Sequence, residues 1–420
     1  MGWASDAARL WSARWRVGIE PNTAAGNHIG TREGCVVAWR GIRYATASRF
    51  REPEPASPPR RPTVFAQFGA PCAQPPLRTL GGEGSEAEDA LYLNVYSPSA
   101  DDARRPVVVW IHGGAYQGGA GSAYDGARLA AEGNVVVVTV NYRLGVLGFP
   151  DLSDLGVPRN LGLRDQIAAL TWVRDNTELF GGDPRTVTLA GESAGSMSVS
   201  LLMPTPAAHP LFHRAIMQSG ALDLVHDGAV GQRLGTEIRT ALDPDGVGLP
   251  ALTKASVGAV LTAQQLVARR YPGTVPAAPV SDGDLLPESL EKARTAPVPP
   301  IPLLAGWNRD EIRFFDLPGV REALPRHRSH LARLLRDQLG AETADRILAE
   351  YPENRAGRRD LGTDVTFAKP TRHFAERHAA AGHPTWTYRL DKRGLLLGAP
   401  HAADLAYLWT RPGAARPTRC

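Results

Sequence analysis

Cysteine and long apolar runs are what this sequence has least of. Its three cysteines, Cys35, Cys72 and Cys420, allow at most one bridge and do not stand at metal-ligand spacing. A disulfide framework is therefore excluded, and with no Asn-x-Ser/Thr acceptor in the chain the expectation is a reducing, cytoplasmic compartment. The longest apolar runs, such as Val135–Val140, fall far short of the roughly 18 residues that suggest a membrane span. In the first twenty residues, Asp6, Arg9, Arg14 and Arg16 interrupt the apolar stretch that a signal peptide would need. Charge of one sign is not concentrated either. Lys and Arg number 47 against 43 Asp and Glu, and the arginines scatter instead of forming a stripe with interleaved aromatics, so no nucleic-acid partner is expected.

What the chain does have is glycine and proline, 43 and 35 of 420 residues without a fixed period, which suits a loop-rich globular fold with a large core. Residues 29–48 read as a short hairpin. Val107-Val108-Val109-Trp110-Ile111 is a buried strand that ends in the tight loop His112-Gly113-Gly114, and Asn134–Val140 is a second strand. Leu163, Ile167, Leu170, Val173 and Leu179 recur at near-helical spacing, followed by a turn at Gly181-Gly182-Asp183-Pro184. Thr186–Ala190 is a strand that enters Gly191, and the small residues from Ala194 to Met203 continue as a helix that Pro204 stops. Residues 302–306 and 385–390 read as further strands. Alternating strands and helices predict an α/β fold with a mostly parallel sheet covered on both faces.

Gly191-Glu192-Ser193-Ala194-Gly195 sits where that strand meets that helix, the context in which Gly-x-Ser-x-Gly forms a sharp elbow with an exposed serine hydroxyl. Ser193 is the expected nucleophile. A serine hydroxyl is weak at neutral pH and needs a base, a group that orients the base, and donors for the oxyanion formed on attack. The small residues of His112-Gly113-Gly114-Ala115 let backbone N–H groups approach such an oxyanion. Gly114, Ala115 and Ala194 are the candidate donors.

With these motifs the sequence closely resembles the type-B carboxylesterases of the α/β-hydrolase superfamily, the group that holds cholinesterases and para-nitrobenzyl esterases. The resemblance covers about residues 29 to 408. Besides the elbow and the His112 loop it rests on Arg40-Gly41-Ile42, on the Glu88-Asp89-Ala90-Leu91-Tyr92-Leu93-Asn94-Val95 segment and on Asn160-Leu161-Gly162-Leu163-Arg164-Asp165-Gln166. Phe180-Gly181-Gly182-Asp183-Pro184 and Ala215-Ile216-Met217-Gln218-Ser219-Gly220 extend it.

The resemblance implies the remaining partners. Asn308-Arg309-Asp310-Glu311 matches the family's acid segment, which makes Glu311 the acid, with Asp310 as its rival; Gly398-Ala399-Pro400-His401 matches the histidine segment, which makes His401 the base. It further implies an Arg49–Glu88 ion pair, and it leaves Cys72 without its usual partner because that position is Ala90. The expected organisation is a loosely attached leader at 1–25, a catalytic domain at 26–408 with a cap-like insertion at about 223–300, and an unstructured tail at 409–420. The C-terminal part is shorter than the family's, which should expose apolar sheet or cap surface. The expected activity is hydrolysis of small-molecule carboxylic esters through an acyl-enzyme, with no cofactor and no metal. An inactive remnant, or a non-catalytic binding protein on the cholinesterase-like fold, is the alternative. Oligomeric state and ester preference stay open.

Overall fold

The β-branched runs form the centre of one sheet in the structure, a computed structural model that describes residues 23–76, 84–85, 87–222, 224–271, 273–317, 328–392 and 398–409. Its nine strands are β1 Thr31–Glu33, β2 Val36–Arg43, β3 Tyr92–Ser97, β4 Arg105–Ile111, β5 Val136–Val140, β6 Gly182–Glu192, β7 Arg214–Gln218, β8 Leu303–Asn308 and β9 Thr385–Leu390. They lie in the order β9-β8-β7-β6-β4-β5-β3-β2-β1. Every pairing from β9 to β5 is parallel, and β3, β2 and β1 extend the sheet antiparallel.

Strand geometry explains why these runs are apolar throughout. Successive side chains point to opposite faces. Val107, Val109 and Ile111 of β4 and Val136, Val138 and Val140 of β5 enter the larger core. Trp110 and Val137, one step out of phase, enter a second core on Tyr96, Ala190 and Trp409. A strand buried on both faces has no polar alternation, which is the signature of a parallel sheet under two helical layers.

The helix expected after Gly162 is α1, Leu161–Asn176, with Leu163, Leu170 and Val173 buried. A buried ion pair ties it to the sheet. Arg143, just past β5, donates through Nε (2.8 Å), a guanidinium N–H (2.7 Å) and its backbone N–H (3.0 Å) to Asp165 on α1. Such a pair gains from filling every acceptor site in a dry environment, because each unfilled one would cost desolvation.

Four expectations need correction. Leu179 is 46% exposed, because α1 ends before it and residues Thr177–Phe180 form a separate 3₁₀ turn that rotates it outward. The turn centres on Gly181 (φ +81°), while Gly182 already begins β6. Ala24 and Ala25, expected in the leader at 1–25, belong to the fold, because they pair with His28–Ile29 and Ala25 is buried in the core. The tail does not start at 409, because Trp409 is buried with its ring centroid 4.8 Å from that of Trp110. The rest of both segments, 1–22 and 410–420, lies outside the described residues.

The insertion at 223–300 carries helices at Gly228–Leu242, Leu249–Lys254, Val257–Arg270 (here α3) and Leu290–Thr295. The Arg49–Glu88 pair forms, with Nε to carboxylate at 2.8 Å, and Arg49 also donates to the Leu252 and Ala255 carbonyls, so it fastens the insertion to the domain. At the β9 edge of the sheet Trp386 is 59% exposed and Leu304 of β8 37%.

Candidate active site

Four parallel strands, β4, β6, β8 and β9, end on the same side of the sheet, and the segments that follow them carry the sequence-predicted residues. This is where open parallel sheets place ligands, because the loops there diverge to leave a crevice. Ser193 links β6 to α2, Ala194–Leu202, with φ +56° and ψ −124°. A non-glycine residue held there stores about 1–3 kcal/mol of strain, which the surroundings must over-determine. Ser193 N–H donates to Gln218 O (2.8 Å), and its own carbonyl accepts from Met197 N–H (2.9 Å). Gly195 must be glycine because α2 starts against β4: a Cβ there would stand 2.0 Å from Ile111 O.

The loop after β4 faces the elbow. Gly114 (φ +110°), Ala115 (+54°) and Tyr116 (+60°) are all left-handed. The N–H groups of Gly114, Ala115 and Ala194 donate to no protein group among the described residues. His112 at the loop's start is pushed down to about 4 by burial, its Nδ1 lies 2.8 Å from Gly113 O, and its ring stacks on Tyr142 at 4.4 Å. It is a neutral, structural imidazole.

His401 and Glu311, 90 residues apart, meet: His401 Nδ1 lies 2.7 Å from a carboxylate oxygen of the fully buried Glu311. The other Glu311 oxygen accepts from Asn308 N–H (2.6 Å) and the Ser219 hydroxyl (2.7 Å). The rival Asp310 instead takes Arg309 (2.7 Å), Arg313 (3.1 Å) and Ala399 N–H (3.0 Å). Geometry separates the two neighbours.

The other His401 nitrogen, Nε2, faces Glu192 at 3.1 Å, and no hydrogen bond joins it to Ser193 Oγ among the described residues. Burial, reinforced by the Asp404 and Glu311 charges against the opposing effect of His401, pushes the Glu192 carboxyl up to about 8. Burial alone would lower His401, but the Glu192 and Glu311 charges and the Glu311 hydrogen bond outweigh it and raise the imidazole to about 9. Phe367, on a π-helical turn Asp364–Ala368, packs 4.5 Å from the His401 ring, and Phe315 lies at 5.2 Å.

The elbow and the Ala215–Gly220 motif contain Glu192 and Ser219 with no part assigned to them, and Asp404 follows His401 by three residues. Asp404 accepts from Gln218 (2.7 Å), Tyr388 (2.8 Å) and Asn308 (3.3 Å), and so ties the His401 segment to β7, β8 and β9. The only signal was that each is polar in an otherwise apolar or small-residue stretch. The Phe314–Phe315 and Phe367 contacts had none. A separate cavity of about 730 Å³ between Pro53–Pro59 and Trp172 is lined by none of these residues, and its Arg43 and Arg164 already pair with Asp89 and Asp284.

A profile of the carboxylesterase family matches residues 20–418. The para-nitrobenzyl esterase of Bacillus subtilis (strain 168) is 37% identical over 92% of this chain and 82% of its own. The medium-chain fatty acyl-CoA hydrolase precursor of Anas platyrhynchos is 32% identical over 91% of this chain and 76% of its own. Among solved structures, a PNB esterase superposes with a TM-score of 0.82 at 36% identity, covering 90% of this chain and 81% of that one. A Geobacillus stearothermophilus carboxylesterase does so at 0.77 and 33%, over 95% and 87%.

Proposed function

Because the chain belongs to the carboxylesterase family, we propose that it hydrolyses small carboxylic esters through an acyl-enzyme on Ser193, with His401 as base and Glu311 as its orienting acid. The observation that carries this is the 2.7 Å contact between His401 Nδ1 and Glu311 beside a strained serine elbow. That contact supports a proton on Nδ1, with Nε2 as the base once the ring is neutral.

His401 Nε2 takes the Ser193 proton as Oγ attacks the acyl carbon, and the imidazolium that forms is stabilised by Glu311. The proton then passes to the leaving alcohol. Water repeats the cycle on the acyl-enzyme. Gly114, Ala115 and Ala194 donate their uncommitted N–H groups to the oxyanion, each worth about 3–4 kcal/mol in the transition state. In the free enzyme the Nε2 atom rests on Glu192, so a bound ester must draw it toward Ser193; catalytic hydrogen bonds commonly tighten only in the substrate complex.

The test is hydrolysis of a short-chain nitrophenyl ester by the wild type beside Ser193→Ala. Loss of turnover in the variant, with a stoichiometric burst only in the wild type, is expected. Equal rates would refute the proposal, and a folded wild type with no rate would turn the reading to a binding protein.

A further inference from the structure

A loop with left-handed φ at Gly114, Ala115, Tyr116 and Gly119 has no ladder of its own to hold it. Inside it, Gln117 N–H (2.9 Å) and Gly118 N–H (3.1 Å) donate to the Gly114 carbonyl. The remaining support comes from outside: Tyr142 O–H donates to His112 O at 2.8 Å, and two buried glutamines hold the rest of the loop.

Gln74 lies before the segment that contains Ala90, and it is 4% exposed. Its side-chain oxygen accepts from Gly119 N–H at 2.8 Å, and its amide donates to Gly119 O at 2.9 Å and to Cys72 O at 3.0 Å. One side chain thus pairs with both backbone groups of one residue, as a neighbouring strand would. Gly119 in turn lies directly on the start of the loop: a Cβ there would stand 2.5 Å from His112 Nδ1 and 2.6 Å from Gly113 O. Holding Gly119 therefore holds Gly113, and with it the plane of the Gly114 peptide.

Gln264, on the insertion helix α3 and 2% exposed, grips the far side. Its oxygen accepts from Val146 N–H at 2.9 Å and its amide donates to the Gln117 side chain at 3.3 Å. Gly145, next to Val146, donates its N–H to Tyr116 O at 2.7 Å. A buried amide whose hydrogen bonds are filled is costly to place anywhere else, since each unfilled bond would cost about 1–3 kcal/mol.

We propose that Gln74 and Gln264 are positioning residues for the oxyanion hole: from two elements remote in sequence, they set the direction of the Gly114 and Ala115 N–H groups. The proposal rests on the reading of those groups as oxyanion donors. Because preorganised donors act only if aimed where charge develops, misaiming them costs rate more than binding.

Gln74→Met and Gln264→Met keep side-chain length and remove the hydrogen bonds. Each should lower kcat/KM roughly 10- to 100-fold, the scale of a small misplacement of catalytic groups. The KM should stay within about twofold. Affinity for a trifluoromethyl ketone, whose serine adduct carries an oxyanion, should fall by the same factor as kcat/KM. If a variant does not fold, Gln117→Met at a half-buried position removes the Gln264 contact and should lower the same two readouts. Variants that melt earlier yet keep wild-type kcat and ketone affinity would overturn the proposal. A wild type no faster than Ser193→Ala would instead overturn the esterase reading, so the two failures are distinct.

Discussion

Replacing Glu192 with glutamine removes a buried carboxylate 3.1 Å from His401 Nε2 while keeping its shape. At that distance two unit charges attract by about 1.3 kcal/mol at the dielectric of water and about 5 kcal/mol at an effective value near 20. With 1.36 kcal/mol per pKa unit, the loss corresponds to about one to four units on the imidazole. The lower figure is the one to expect, because Glu192 is itself pushed up to about 8 and carries only part of its charge below that pH. In the proposed mechanism His401 must be neutral to accept the serine proton, and a pKa raised to about 9 delays its neutral form to alkaline pH. The wild-type acid limb of kcat/KM should therefore lie above that of a free imidazole, and Glu192→Gln should move it toward acid by about one unit or more. Steady-state rates on a nitrophenyl ester from about pH 5 to about pH 10 measure this. A limb that stays within about 0.3 unit of wild type would refute the coupling of Glu192 to the base.

Three further outcomes follow from the same geometry. In Glu311→Gln the amide must turn its NH₂ toward one of three donors, Asn308 N–H, Ser219 O–H or His401 Nδ1–H, and kcat should fall by about 10³–10⁴ with KM little changed. Gly113→Ala puts a Cβ 2.7 Å from a Glu192 carboxylate oxygen and 3.0 Å from Ser193 Cβ, so rate should drop at least about 100-fold while circular dichroism stays native. Asp165→Asn strips the charge from a pair in which Arg143 is 4% and Asp165 0% exposed, and urea unfolding should register a loss of about 3–5 kcal/mol.

Much of the candidate site was legible because its parts are local. The elbow needs a strand, a strained serine between glycines and a helix start, and all of these lie within one stretch of chain around Ser193. The His112 loop likewise follows its own strand. Glu311 and His401 came instead from resemblance, since nothing local marks one carboxylate or one histidine among many. The structure brings those two together through the parallel register of β8 and β9.

The sequence by itself determined the strands and the elbow, because side-chain period and turn chemistry act over a few residues, and it pointed to the family through the resemblance of its motifs. Tertiary structure decided the rest, since contact and burial come from segments remote in the chain. Leu179, apolar in sequence, turns outward once α1 closes early, and Trp409 is buried by Trp110 and Tyr124. Packing also decided which carboxylate meets His401: Glu311 lies 2.7 Å from its Nδ1, while Asp310 lies among arginines. The alkaline shift of the imidazole is likewise set by desolvation and by charges that only folding brings within reach.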